Sequence, residues 1–579
     1  MLKRLRNSLI FFTFVSIVFS FNSLFHGFAE EITKSEITDN ELLKNAEKME
    51  KIIADGLSKI KIPAAVLAVS RGNKVLYYKA FGKTAMPGYE PKDIDNQTLF
   101  PLASISKNVT AVLVGALVDD GKLSFDDKVR KYYPEFFVCN EELSNEFTVK
   151  DLISHSSGFK HFSADSLLKA GYDNDKILNS FRYLKQIPGD FRRYYGYQNV
   201  IYGIVGIVIE KATGEKYEDL VQKYIFDKMD MKNSSAIRLD AEASKVGYFK
   251  YLLSRFSHDR KRLGLFKTCW NLVYKPLIHK SKKIVDVHSK HIDDVVHLDT
   301  DGFYHKFAAT SGISFSAEDF SKWLAMLANK GTYNGKQIIS KETFAKLTSD
   351  IVTVKDLKDT DVTFVKARFP REDMHYGMGF FNSKYADNGK NARKILFHMG
   401  GIKGSTAFLA VSPEDDLAVG VCCNLGGVAH TMFCEYMVNQ FLDLSFGFTG
   451  IDWVQADIDR KLRFQKKQHD YKDSISSKNP EPMEKPEEYV GVYTSEIYGD
   501  ITVSAKGNDL FISNGIRKAK LRNLNGSIFA FASMDMLISF FDEDEYISFF
   551  KNEDGRIDSF YTSCFDENKT VFKRKQKQP

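Results

Sequence analysis

The stretch TLFPLASISKNVTAVLVGAL, residues 98–117, contains Ser104-Ile105-Ser106-Lys107. A serine hydroxyl is a weak nucleophile until a base takes its proton. A lysine withdrawn from water and close to other cations can lose its own proton and act as that base. The bare Ser-x-x-Lys spacing carries little, because it starts at Ser58, Ser104, Ser157, Ser166 and Ser548 alike. Context separates them. Val109, Val112, Leu113, Leu117 and Val118 recur at helical spacing after Ser104, which predicts a helix with Ser104 in its first turn. Lys107 then lies one turn on, on the same face. The unpaired N–H groups and partial positive charge of a helix start fall beside the hydroxyl. By contrast, Ser58 closes a helical pattern, Ser157 precedes a glycine turn and Ser548 lies in a strand pattern.

The elements that must position this pair follow from periodicity. Residues 41–58 carry Leu42, Leu43, Ala46, Met49, Ile52, Ile53 and Leu57 at helical spacing. AAVLAVS and KVLYYKAFG then read as two strands joined by Arg71-Gly72-Asn73. From Ser104 to about 325 the pattern is mostly helical. Strands return in GMGFFNS, KILFHMG, STAFLAVS and LAVGVCCN, the last two joined by Pro413-Glu414-Asp415-Asp416, and a helix over about 429–445 closes the unit. Strands at both ends of a helical middle predict an α/β (α+β) architecture over 40–450: one sheet built from the two termini, flanked by helices, with a helical subdomain beside it. Residues 456–486 are charged, polar and without apolar periodicity, and read as a linker. Strand follows strand over 487–575, which predicts a small antiparallel all-β barrel or sandwich with no part in the chemistry.

Composition narrows the classes. A formal charge of +6 is mild for 579 residues and calls for no nucleic-acid partner. Residues 1–29 read as a secretory signal: Lys3, Arg4 and Arg6 precede an apolar run from Leu9 to Phe21, with small Gly27 and Ala29 at the cut. The expected location is exported, periplasmic or secreted; an uncleaved anchor is the alternative. Six cysteines, Cys139, Cys269, Cys422, Cys423, Cys434 and Cys564, make no disulfide framework in a chain this long. Cys422 and Cys423 read as small core residues. No spacing matches a metal site, a Walker phosphate loop or a Gly-x-Ser-x-Gly elbow. Residues 249–290 carry eleven Lys or Arg against two Asp, interleaved with Phe249, Tyr251, Phe256, Phe266, Trp270 and Tyr274. They read as an insertion, either a contact for a membrane surface or anionic polymer or a solvated positive face.

Several segments, in order over about 45–445, resemble the serine beta-lactamase and penicillin-binding-protein superfamily in its class-C-like branch, with its esterases and D-amino-acid peptidases. They are AAVLAVSRGNKVLYYKAFG, TLFPLASISK, TVKDLISHSSGF, PGDFRRYYGYQNVIYGIVGIVIEKATGEKYEDLV, SGISFSAEDFSKWLAMLANKG and FHMGGIKGSTAFLAVSPEDDLAVGVCCN. The resemblance implies that fold, a Ser104 nucleophile with Lys107 as basic partner, and acylation by an ester, a D-amino-acid peptide or a lactam. It implies no metal and no organic cofactor, and a small-molecule or peptidoglycan-derived peptide as substrate. Tyr-x-Asn occurs at Tyr172 and at Tyr197-Gln198-Asn199; the second follows Pro188-Gly189 and leads into an apolar helix. Tyr197 is then implied as a proton shuttle, its phenol pKa lowered by Lys107, and Asn199 as a hydrogen-bonding group for substrate. His398-Met399-Gly400 stands where beta-lactamases carry Lys-Thr-Gly, so His398 and Gly400 are implied at the substrate. The N–H groups of Ser104 and Gly401 are implied as the oxyanion hole. A neutral histidine anchors a carboxylate less well than a lysine does, which points away from efficient beta-lactam hydrolysis. His375-Tyr376-Gly377 reads as the preceding strand, and His155 as packing beneath the site. The rival reading, from another class, is a cell-wall-peptide-binding or scaffold protein with slow or absent hydrolysis.

Overall fold

The structure, a computed structural model, describes residues 37–83, 93–236, 288–291, 294–297, 308–355, 368–369, 374–402, 404–426, 432–476, 482–516, 518–532, 546–563 and 570–576. The signal reading over 1–29 and nearly all of the 249–290 insertion lie outside the described residues. No helix among the described residues is long and apolar enough to cross a membrane.

Helix α1, Asp39–Ile60, starts at a capping box in which Thr38 and Glu41 bond each other's backbone N–H. Its Leu42, Ala46, Met49, Ile53 and Leu57 are buried. Strands β1, Ala64–Arg71, and β2, Lys74–Gly82, form the expected hairpin. The sheet is completed by β3, Val352–Thr353; β4, His375–Tyr376; β5, Phe381–Asp387; β6, Lys390–Ile402; β7, Ser405–Ser412; and β8, Leu417–Cys423. Its order is β3-β4-β5-β6-β7-β8-β1-β2, antiparallel at every pairing. Thus N-terminal β1 closes against C-terminal β8, and the sheet joins both ends of the domain.

The central strands read as unbroken apolar runs because both of their faces are covered. Ala64, Val66 and Ala68 of β1 enter one core. Ala65, Leu67 and Val69 enter the other, with α1 and α7, Phe433–Phe446. The first core holds α2, Ser106–Asp119; α5, Asn199–Thr213; and α6, Ala317–Ala328. Among the short helices between α2 and α5 are α3, Asp165–Lys169, and α4, Asn174–Ser180. Cys422 and Cys423 are buried core residues, as expected.

Two details differ from the sequence reading. The strand expected over 377–383 starts only at Phe381, because Gly379 has φ +80 and Gly377 N–H bonds Phe380 O across a tight bend. That bend rests on α2, where Asn108 Nδ2 donates to Gly379 O. The segment read as a linker carries helix α8, Trp453–Ser476. Its first turns bury Trp453, Val454 and an Asp457–Arg460 ion pair. Its polar remainder has no Pro or Gly before Pro480 and gains i,i+4 support from Lys466–Asp470. Residues beyond it form a closed barrel of eight strands: β9, Gly491–Ser495; β10, Gly499–Lys506; β11, Asp509–Ser513; β12, Lys518–Asn525; β13, Ile528–Ala532; β14, Tyr546–Lys551; β15, Ile557–Thr562; and β16, Val571–Arg574. The α/β domain with its helical subdomain, followed by an all-β barrel, is the architecture the sequence predicts.

Candidate active site

Ser104 lies in a 3-10 turn, Ala103–Ile105, that runs directly into α2. The turn is tight: Ala103 has φ +49, a left-handed conformation costing of order 1–3 kcal/mol for a residue with a Cβ. Strand β6 crosses close by. A Cβ on Gly400 would lie 2.2 Å from Leu102 O and 3.2 Å from Ala103 Cβ. Only glycine lets the strand lie this near the turn. Past the Phe381–Phe397 pairing, β6 continues through His398 to Ile402 without a β5 partner. Gly401 is exposed on this stretch, beside the half-buried Ser104.

Lys107 is completely buried. Its Nζ reaches Asn199 Oδ1 at 2.7 Å, Ser104 Oγ at 3.1 Å and Thr310 O at 3.2 Å. Loss of solvation pulls its pKa down to about 7, against a smaller opposing pull from the Asp165 charge. Burial thus favours the free amine far more than in an ordinary lysine. With two N–H groups held by Asn199 and Thr310, the lone pair of that amine points to Ser104 Oγ.

Tyr197 Oη donates to Ser104 Oγ at 2.8 Å, so the hydroxyl is bracketed by Lys107 and Tyr197. The expected lowering of the Tyr197 phenol by Lys107 is corrected here. Burial raises that phenol well above its ordinary value, and the Ser104 bond offsets only part of the rise. Lys107 Nζ stands 4.8 Å from the centroid of the Tyr197 ring, facing its π-surface instead of its oxygen. Burial thus favours the neutral phenol of Tyr197, bonded to Ser104 Oγ, while it favours the free amine of Lys107.

Asn199 was expected to meet substrate. Its amide is instead committed on both sides: Oδ1 accepts from Lys107, and Nδ2 donates to Asp165 Oδ2 at 2.7 Å. Asp165 also accepts from Asn199 N at 3.0 Å and from Val200 N at 3.0 Å, capping the start of α5 from another segment. Burial raises the Asp165 pKa while these bonds and Lys107 lower it. Asp165 and the Thr310 carbonyl were not found by sequence reasoning. No motif spacing links them to Lys107; they meet it only through the fold.

His398 is likewise corrected. It is fully buried, with Nδ1 on Met399 O at 2.6 Å and Nε2 on Tyr376 Oη at 3.2 Å. The carbonyl requires Nδ1 to carry the proton, so Nε2 accepts from Tyr376. Desolvation and the nearby Lys107 hold its pKa at about 3. His398 thus supplies a neutral brace behind β6 and no charge for a substrate. His155 packs beneath the site as expected, its ring 4.4 Å from that of Tyr197 and its Nδ1 3.4 Å from Gln198 N. The rejected motif tyrosine, Tyr172, bonds Tyr498 O of the barrel at 2.6 Å.

Comparison with known proteins shows the family and the fold. The beta-lactamase family model matches residues 49–432. A domain of unknown function, DUF3471, matches residues 476–574. The chain is 27% identical over 189 residues to penicillin-binding protein 4* of Bacillus subtilis (strain 168), covering 31% of this chain and 40% of that protein. It is 26% identical over 218 residues to esterase EstB of Burkholderia gladioli, covering 35% and 54%. The chain thus spans about half or less of the length of these two curated relatives. The octameric penicillin-binding protein homologue from Pyrococcus abyssi shares the fold, with a TM-score of 0.52 at 18% identity over 91% of this chain and 100% of that one.

Proposed function

Because the chain belongs to the beta-lactamase family, whose members include serine hydrolases, we propose that it is an exported serine hydrolase working through an acyl-enzyme at Ser104. The observation that carries this reading is the bracketing of Ser104 Oγ by Lys107 Nζ at 3.1 Å and Tyr197 Oη at 2.8 Å. Neutral Lys107 takes the Ser104 proton as Oγ attacks the substrate carbonyl carbon. The carbonyl oxygen becomes an oxyanion between the N–H groups of Ser104 and Gly401, donors of the kind worth about 10²–10³ in rate each. The C–O or C–N bond to the leaving group then breaks, and the proton passes to that group through Tyr197. Water attacks the acyl-enzyme, gives its proton back through the same pair, and releases the acid and free Ser104.

We assign an ester or a D-amino-acid peptide as the substrate class ahead of a beta-lactam. Buried, neutral His398 brings no cation to the place where the beta-lactamases carry a lysine. The likeness to an esterase and to a penicillin-binding protein supports the same range. Export is proposed from the basic and apolar pattern of residues 1–29.

A fluorophosphonate probe tests the nucleophile. Intact mass should show one adduct, absent in Ser104→Ala. A panel of p-nitrophenyl esters, D-Ala-D-Ala peptides and nitrocefin tests the substrate class, with ester or peptide turnover expected above nitrocefin. An adduct on another serine, or unchanged turnover in Ser104→Ala, overturns the reading.

A further inference from the structure

Among the described residues, the barrel meets the hydrolase domain at the tip between β9 and β10. The tip between β9 and β10 carries Glu496-Ile497-Tyr498, and Tyr498 is buried. Tyr498 stays anchored in its own barrel, its ring 5.6 Å from that of Phe572. Its hydroxyl bonds Ser166 Oγ in α3. Tyr172 Oη donates to Tyr498 O at 2.6 Å, and Ser180 Oγ of α4 donates to Ile497 O at 3.0 Å. From the turn after β11, Asn514 Nδ2 donates to Ala170 O at 2.8 Å. These side-chain hydrogen bonds hold residues 166–180 to the barrel.

The segment they hold starts at Asp165. Helix α3 has five residues, too few to be stable alone. It is entered through Phe162 at φ +56 and Ala164 at φ +68, both in the left-handed region that disfavours residues with a Cβ. Such a segment keeps its place only when its surroundings over-determine it. On its inner side Asp165 bonds Asn199 and Val200 while Leu167 and Leu168 enter the core; on its outer side stands the barrel tip. From Asp165 the bonds run to Asn199, from Asn199 to Lys107, and from Lys107 to Ser104.

We propose that the C-terminal barrel is an integral part of the hydrolase site: Tyr498 fixes α3 so that Asp165 orients Asn199 and, through it, Lys107. Asp165 and Tyr498 are positioning residues in this scheme, which rests on Lys107 activating Ser104. The groups facing Lys107 are Asp165, His155, His398 and the rings of Tyr197 and Tyr202. The two histidines are held neutral by burial. Asp165 is then the charge that favours the protonated amine, and losing or displacing it moves the acid limb of the rate profile to lower pH.

The test uses the full chain and fluorophosphonate labelling across pH 5–9, with p-nitrophenyl butyrate turnover alongside. Asp165→Asn should lower acylation about 10- to 100-fold and shift the acid limb down in pH. Tyr498→Ala should lower kcat about 3- to 10-fold, change KM less than twofold and shift the limb in the same direction. Tyr498→Phe keeps the ring and the backbone bond from Tyr172, and should recover most of the loss. Should Tyr498→Ala fail to fold, Asn514→Ala removes the separate barrel bond to Ala170 O and should lower kcat about twofold or more with a shift of the limb in the same direction. Folded Asp165→Asn and Tyr498→Ala chains with wild-type kcat and an unmoved acid limb overturn the proposal. A wild-type chain that takes no label at Ser104 overturns the underlying hydrolase reading instead.

Discussion

Gly400→Ala isolates the approach of β6 to the nucleophile turn. The new Cβ would sit 2.2 Å from Leu102 O, roughly 1 Å inside an ordinary carbon–oxygen contact of ~3.3 Å. Neither partner is a flexible side-chain end: one is the backbone of the Ser104 turn, the other the backbone of a strand paired to β7 through Ala407. Relief therefore takes a displacement of about 1 Å between Ser104 and the Gly401 N–H, a misplacement that costs about 10²-fold in rate in a preorganised site. Overpacking adds about 1–3 kcal/mol of destabilisation. Second-order labelling rates with a fluorophosphonate, beside the thermal midpoint, measure both. Gly56→Ala is the control, because its Cβ would meet the Phe433 ring at 2.7 Å in the core on the other side of the sheet. It should lose stability with labelling unchanged. Labelling of Gly400→Ala within threefold of wild type, in a folded chain, would refute the reasoning.

Other perturbations have equally definite outcomes. Acylation should rise as pH passes through about 7 and level off above, because Lys107 is held near 7 and works as a base only when deprotonated; a limb near 10 in the pH profile of labelling would contradict this. Lys107→Ala and Tyr197→Phe should each slow acylation by orders of magnitude, about 10² or more, yet the double variant should be little worse than either, since both act on one Ser104 hydroxyl; kinetics that multiply would separate their roles. His398→Ala should leave KM for acidic substrates within about twofold of that for neutral ones. It should cost about 1–3 kcal/mol in thermal denaturation for the unpaired Tyr376 hydroxyl; a selective KM rise for acidic substrates would return His398 to the substrate. Asp443→Ala, which strips the buried Arg368 guanidinium of its bidentate partner at 2.7 and 3.1 Å, should destabilise by about 3–5 kcal/mol without slowing labelling.

Much of this protein is legible from residue order because local physics decides it. The apolar stripe of α2 sets a serine and a lysine one turn apart whatever lies around them. Thr38 with Glu41 starts α1, and the period-2 runs beyond residue 487 can only be strands. The central strands show their double burial as unbroken apolar text, and even the barrel is announced by its regular turns. Ionisation and partnership are different, because both depend on what distant segments bring. Lys107 becomes a base near neutral pH through burial among α2, α5 and the Thr310 carbonyl, contributed from 203 residues downstream. Asn199 faces inward because Asp165, with no motif to mark it, caps α5 from outside. The same packing keeps the Tyr197 phenol protonated and turns His398 into a brace, since desolvation by neighbours overrides the ordinary pKa of each side chain. Residue types and spacings determined which groups could take part in the chemistry. Only the tertiary structure decided their protonation and their partners, because dielectric and contact are properties of the assembled core and not of any stretch of chain.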